Sequence, residues 1–343
     1  MESRNSKAVV VKKFGGYESL SIQEFDLPPL DDTIEIKVEY GGLNFADLYT
    51  RQGLMANKKL PFVLGIECTG IITSIGSNVS NTDFKVGQRV ICYDYNGGMY
   101  REVVRLSPTK CFLLPDFIST KLGAAIFVNY LTAYFSLLSL GNLKENETIL
   151  ILSCTGGVGS AATQIAKTIK GVTVFGTGSI SKKQDALKNG VDTFIPNESF
   201  EELQMQKFDL ILTNEAGNTF NFLQELLNPL GNIVIIGANN YIQNDQKISM
   251  LSLLKSWWTM KNVSIESLIT NSRVVAGLHL GMLVERDRNK VQKTLEHIFK
   301  LIKDEILKPL IHSTMPMAQI VSATRLLAER KNVGKVLIKI SDQ

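Results

Sequence analysis

From Thr148 to Gly237 the chain alternates short, continuously apolar segments with amphipathic helical ones. TILILS (148–153) precedes GSAATQIAKTIK, and GVTVFG (171–176) precedes SKKQDALKNG. FDLILT (208–213) precedes NTFNFLQELLN, and NIVIIG (232–237) closes a further unit. Strands that are apolar throughout must be covered on both faces, and strands separated by helices run parallel. Right-handed crossovers then wind them into a doubly wound α/β sheet. RVVAGLHL (273–280) is expected to be its last strand.

The flanks read differently. KAVVVKKF (7–14), TIEIKVEY (33–40), CTGIITSIG (68–76) and QRVICYDY (88–95) are β-branched, alternating segments bounded by Gly, Pro, Asn and Asp. They predict a mostly antiparallel, barrel-like domain. KLGAAIFVNYLTAYFSLLSL, from Lys121, is long enough for two consecutive helices. After the last β/α unit come helices over roughly 287–303 and 319–329 and a strand, GKVLIKI (334–340). This tail is assigned back to the first domain. The expected boundaries are therefore 1–122 plus 284–343 for one domain and 123–283 for an inserted one, with a cleft between the two lobes.

TILILSCTGGVGSAATQIAK carries the strongest chemical signal: a strand, a Gly-rich turn and a helix in succession. A helix start presents unpaired N–H groups and a positive dipole end, which suits a pyrophosphate. Gly156 and Gly157 keep side chains away from approaching phosphate oxygens, and Gly159 permits close packing of the helix. Against the GxGxxG pattern, Cys154 stands in the first glycine position. The next strand ends in Gly176-Thr177-Gly178-Ser179 and continues to Ser181-Lys182-Lys183, with no acid to bond a ribose 2′-hydroxyl. Hydroxyls and a lysine there favour NADPH over NADH.

Composition narrows the classes further. Apolar residues make up 44% and charged ones 20% of 343 residues, a globular balance sized for about two domains. The net charge of +4 is carried after Val284, where 12 Lys/Arg face 7 Asp/Glu; the rest of the chain is close to neutral. That excess is too dispersed for nucleic acid, but suits an anionic cofactor or an acidic membrane surface. Cys68, Cys92, Cys111 and Cys154 form no CxxC pair, which argues against a zinc ribbon or a disulfide scaffold. With neither a secretory leader nor a bilayer-length apolar run, the expectation is a cytoplasmic protein.

GGLNFADLYTRQG (41–53), LPFVLGIECTGII (60–72), NYLTAY (129–134), TGGVGSAATQIAK (155–167) and NVGKVL (332–337) resemble the zinc-independent quinone oxidoreductases of the medium-chain dehydrogenase/reductase superfamily. KSWW (255–258), VVAGLHLG (274–281) and KNVGKVL (331–337) look most like the vesicle amine transport protein 1 homologues within that branch. The resemblance implies a GroES-like substrate domain, an inserted Rossmann domain, bound NADPH and a homodimer. It also implies cofactor contacts at matching positions. Asn44 matches the residue beside the nicotinamide, and Thr132 a helix residue lining the cofactor. Gly156, Gly157 and Val158 match the pyrophosphate loop, and Lys182 or Lys183 the 2′-phosphate clamp. Gly237 matches a strand end near the cofactor, and Asn332 a late contact at the adenosine phosphate. The aromatic that some members carry at the adenosine pocket is replaced by Ile195-Pro196-Asn197.

Zinc-dependent relatives place Cys at Asn44 and His at Ile66, and neither residue here ligates zinc. No metal is therefore expected. His279, His297 and His312 lie beyond the cofactor segments, Cys68 is expected to be a buried apolar group, and Glu67 a hydrogen-bonding partner. Without a Lewis acid, hydride transfer suits quinones or α,β-unsaturated carbonyls, which hold the electron density themselves. Asn44 and Tyr130 are the candidates for the oxyanion's surroundings; equally, Asn44 holds the carboxamide and Tyr130 packs between lobes. Asp47 either caps the helix that follows Asn44 or pairs with Arg51. A second functional reading is an NADPH-binding scaffold with little turnover, peripherally attached to vesicle or mitochondrial outer membranes. KSWWTM, with Trp257 and Trp258, and the basic tail motivate it, though KSWWTM could equally line the substrate cleft or a dimer contact.

Overall fold

The computed structural model describes residues 5–54, 58–80, 83–237 and 263–341. KSWWTM, with Trp257 and Trp258, lies outside them. The chain divides into two units, one holding the described residues 5–127 and 311–341, the other 128–237 and 263–310.

The first unit opens with β1 (Asn5–Val11), β2 (Leu20–Asp26), β3 (Ile34–Gly42), α1 (Phe45–Gln52), β4 (Phe62–Val63) and β5 (Glu67–Ile75). β6 (Arg89–Tyr93), β7 (Val103–Leu106), β8 (Cys111–Leu113) and α2 (Thr120–Gly123) follow. β2-β1-β4 form a small antiparallel sheet. The mixed alternation of β3 comes from burial of nearly all its side chains. Its two internal acids are paired, Glu35 with Arg105 at 2.8 Å and Glu39 with the Thr120 hydroxyl, which donates to it. Ile34, Ile36, Val38, Ile72, Val90 and Tyr100 fill the core between strands.

α3 (Phe127–Tyr134) leads into a π-helical turn, Phe135–Leu140, and then the second unit's β/α series. This comprises β9 (Thr148–Ile151), α4 (Gly157–Ala166), β10 (Thr173–Gly178), α5 (Lys183–Lys188), β11 (Thr193–Pro196), β12 (Phe208–Thr213), α6 (Asn218–Glu225) and β13 (Leu227–Ile235). After the undescribed stretch come α7 (Ile265–Asn271), β14 (Val274–Gly277), α8 (Leu280–Arg286) and α9 (Arg288–Lys303). All six strands pair in parallel, in the order β11-β10-β9-β12-β13-β14. The first strand is thus central, and the order reverses direction between β9 and β12. Ligands of open α/β sheets sit at the carboxyl ends of strands at such a reversal.

β15 (Ile311–Pro316), α10 (Ile320–Ala328) and β16 (Lys335–Lys339) return the chain to the first unit. β15 pairs with β16, and β16 lies antiparallel to β3 in the larger sheet.

Both boundaries differ from the sequence reading, the first falling after Phe127 rather than after residue 122. Residues 284–310 belong to the second unit, and the return falls at Ile311 rather than Val284. α9 turns Val291, Leu295, Ile298 and Phe299 inward, and His297 meets the edge of Tyr134 on α3 at 5.7 Å. Gln164 of α4 then holds both backbone groups of Lys308, accepting from its N–H and donating to its carbonyl, each at 2.9 Å. An amphipathic period announces a helix, but not the sheet it covers.

Candidate functional site

The Gly-rich turn joins the carboxyl end of β9 to α4, beside the strand-order reversal. Gly156 is the N-cap, and the first helical bond runs from Ser160 N–H to Gly156 carbonyl. The preceding N–H groups of α4 have no intrahelical partner, and no acid occupies its first turn. A Cβ on Gly156 would meet nothing closer than Ser153 carbonyl at 3.3 Å, so the space above the turn is open. A Cβ on Gly159 would overlap that same carbonyl. Only glycine lets α4 start this close to the turn.

β10 braces the turn from the side. Cys154 N–H donates to the Thr177 carbonyl at 3.0 Å, and Ser153 N–H to the Thr177 hydroxyl at 3.3 Å. Gly176 faces Cys154: a Cβ there would stand 2.6 Å from Cys154 Sγ. Its glycine therefore seats the cysteine rather than admitting a ligand. Burial pushes the Cys154 thiol up to about 12, against the opposing charge of Lys182. Lys182 thus acts on the turn from a half-buried position, whereas Lys183 is exposed at the start of α5. The Ser179 and Ser181 hydroxyls meet at 3.1 Å, and β10 ends without a carboxylate. Gly237 follows β13 with no described residue within 4 Å of its Cβ direction, and Val158 is half-buried on the first turn of α4.

α3 contributes a residue that the sequence reading passed over. Asn129 and Thr132, one turn apart and 5% and 8% exposed, share a helix face. The Asn129 amide lies against the turn: a Cβ on Gly157 would be 2.6 Å from its Nδ2. A polar residue in an otherwise apolar helix was the available signal. Across the strand reversal, Asn214 follows β12 with its Oδ1 buried and unbonded among the described residues. Tyr130, on another face of α3, donates its hydroxyl to Gln164 at 2.8 Å, and burial pushes its pKa far up. That geometry ties α3 to α4 and holds the phenol proton on Gln164.

The other expected residues lie in the first unit, within a buried polar cluster built from four chain segments. Asn44 sits between β3 and α1. Its Nδ2 donates to Gly42 carbonyl and to Glu67 Oε1, both at 2.9 Å, and its Oδ1 accepts from Lys335 Nζ at 2.7 Å. Both amide hydrogens being engaged, Asn44 has only an acceptor lone pair to offer and cannot donate to an oxyanion. Lys335, the first residue of β16, also bonds Glu67, with the two side chains 2% and 1% exposed. Glu67 is a hydrogen-bonding partner, as expected; Lys335, within NVGKVL, is not among the expected residues.

Asp47 takes the capping role and not the pairing one. Its Oδ2 accepts from Asn44 N–H at 2.8 Å and from the Tyr100 hydroxyl at 2.6 Å, while Arg51 stacks over the Tyr17 ring at 4.4 Å. Asp47 Oδ1 has no partner among the described residues. Burial raises this carboxyl to about 7, against the lowering by Tyr100, the Asn44 N–H and Lys335. Asn332 donates to Gly334 carbonyl at 2.7 Å and braces the turn before β16.

At the positions of zinc ligands, Asn44 is hydrogen-bonded as described and Ile66 is core. No three His, Cys, Asp or Glu among the described residues cluster as metal ligands would. His279 caps α8 and His312 accepts from Val333 N–H at 3.2 Å. Cys68 packs against Met99 sulfur at 3.8 Å. Among the described residues, no helix is long and apolar enough to cross a membrane.

Two family models match: the alcohol dehydrogenase GroES-like domain over residues 30–116 and the zinc-binding dehydrogenase over 189–338. The zebrafish (Danio rerio) synaptic vesicle membrane protein VAT-1 homolog is 35% identical over 341 residues, covering 97% of this chain and 69% of its own. The human VAT-1 homolog-like crystal structure superposes with a TM-score of 0.83 at 28% identity, covering 99% of this chain and 100% of that one. The Escherichia coli quinone oxidoreductase complexed with NADPH gives 0.82 at 27%, over 98% and 99%. This chain belongs to the VAT-1 homologue family, within the quinone-oxidoreductase branch of the medium-chain dehydrogenase/reductase superfamily.

Proposed function

We propose that the protein is an NADPH-dependent oxidoreductase that reduces quinones or α,β-unsaturated carbonyls. The observation that carries this reading is the open, acid-free start of α4 at the sheet's strand reversal, with Lys182 beside it. The turn fits a pyrophosphate, and the end of β10 fits a 2′-phosphate, since no carboxylate there would repel one. The bound cofactor would supply hydride. In this reading the chain's own groups bind and orient it: Gly156 and Val158 at the pyrophosphate, Thr177, Ser179 and Lys182 at the adenosine side, and Thr132 along its length. Asn44, the position the resemblance matches to the nicotinamide's neighbour, would accept rather than donate a hydrogen bond there, because both its N–H groups are engaged. The kinship with a quinone oxidoreductase complexed with NADPH supports both cofactor and acceptor class.

The test is loss of NADPH absorbance against a panel of quinones and enones. Turnover with at least one acceptor is expected, and none with any would sink the reading. Lys182→Ala should weaken NADPH binding by about 10- to 150-fold, the worth of one charge-assisted phosphate contact, and NADH by less than about twofold. Lys183→Ala should leave both nearly unchanged. Equal losses for the two dinucleotides in Lys182→Ala would contradict the 2′-phosphate assignment.

A further inference from the structure

Resting on that reading, we propose that Asn129 is a pyrophosphate ligand, its side-chain amide donating alongside the first N–H groups of α4. The residue is only 5% exposed, and its side chain makes no hydrogen bond among the described residues. It does not fill space at random: its amide lies directly against the first residue of the helix, Nδ2 2.6 Å and Oδ1 2.9 Å from where a Cβ on Gly157 would stand. An amide this enclosed, with no protein partner, is completed by water or by a ligand that reaches it. What completes this one must accept hydrogen bonds, because the adjoining groups of the α4 start all donate and the helix end is positive. No carboxylate stands in the first turn of α4 to take that role. An anion with several acceptor oxygens fits, and the diphosphate bridge of a dinucleotide has them. Thr132, one helical turn on, extends the same face along the ligand. α3 thereby becomes part of the nucleotide site rather than a packing helix only.

The pyrophosphate is common to NADPH and NADH, which separates this contact from the one at Lys182. The experiment measures Kd for NADPH, NADH and adenosine 2′-monophosphate, which lacks the diphosphate, on the full chain carrying Asn129→Asp or Asn129→Leu. Asn129→Asp places a carboxylate against the phosphates and should weaken both dinucleotides alike, by ~10- to 100-fold, with adenosine 2′-monophosphate within about twofold. Asn129→Leu removes the donor without adding charge and should cost both dinucleotides ~5- to 10-fold. Lys182→Ala should show the opposite pattern, losing NADPH and adenosine 2′-monophosphate and sparing NADH. Dinucleotide binding within about twofold of the parent in both Asn129 variants overturns the proposal. So does a lowered thermal midpoint with unchanged affinity, which would mark a packing role. Should the parent bind neither dinucleotide, the functional reading itself fails, an outcome distinct from normal binding by the parent and the variants alike.

Discussion

Lys335→Met is expected to lower the unfolding free energy by about 3–5 kcal/mol, the largest loss foreseen for any single substitution here. The side chain removed is the cation of a pair whose members are 2% and 1% exposed. Methionine leaves the Glu67 carboxylate buried without that counter-charge, while the neutral Asn44 amide still donates to it. It also removes the positive charge that holds Asp47 down, so a second buried carboxyl rises further. At roughly 2–4 °C per kcal/mol for a unit of this size, the thermal midpoint should fall by about 6–20 °C. The cost lies in the charge left behind, not in the lost contact, and that has a consequence. Glu67→Gln in the Lys335→Met background should restore part of the loss, because a neutral amide needs no counter-ion. If the double variant is no more stable than Lys335→Met alone, or the single loss is under about 1 kcal/mol, the cluster is not an ion pair held in apolar surroundings.

That cluster shows why the fold was legible in the sequence and this part of it was not. Parallel strands advertise themselves, since FDLILT and TILI are apolar on both faces and occur where expected. The Gly-rich turn is a contiguous pattern, and local chemistry accounts for each of its glycines. Asn44, Glu67, Tyr100 and Lys335, in contrast, come from four segments spread over most of the chain, and only the strand order of the larger sheet assembles them. A lysine opening GKVLIKI reads as an outward residue of an alternating strand; β16 turns it inward beside β3. Short edge strands such as β11 (TFIP) and β15 (IHSTMP) lack the apolar run that betrays the central ones. The pairing of Asp47 with Arg51 was read from an i, i+4 spacing that the helix does present. Tyr100 and Tyr17 outcompete it, one by taking the carboxyl, the other the guanidinium.

Asp47→Asn is expected to remove a pH dependence of stability worth roughly 4 kcal/mol. The folded carboxyl titrates at about 7 against 3.8 for the free group, and burial is the principal cause. Between those two values the unfolded chain is ionised while the folded one keeps its proton, so folding takes up a proton. Stability then falls as pH rises: the contribution is fully present below about 4 and is lost by about 7, above which the curve levels. About three pH units at roughly 1.36 kcal/mol each set the magnitude. Tyr100 makes the protonated form tenable, because its hydroxyl lies 2.7 Å from Gly42 carbonyl as well as 2.6 Å from Asp47 Oδ2. With Asp47 ionised, the phenol donates to it; with Asp47 protonated, the phenol turns to the carbonyl and accepts from the acid. The substituted amide keeps an oxygen for the Asn44 N–H and the Tyr100 hydroxyl, and it has no acidic proton to lose. Other groups titrate in both proteins and cancel in the difference. Denaturant unfolding of both from about pH 4.5 to 8 should show the variant gaining on the parent until about pH 7 and running level beyond. A difference that stays flat across that range would mean Asp47 is ionised throughout, with Lys335 outweighing its burial.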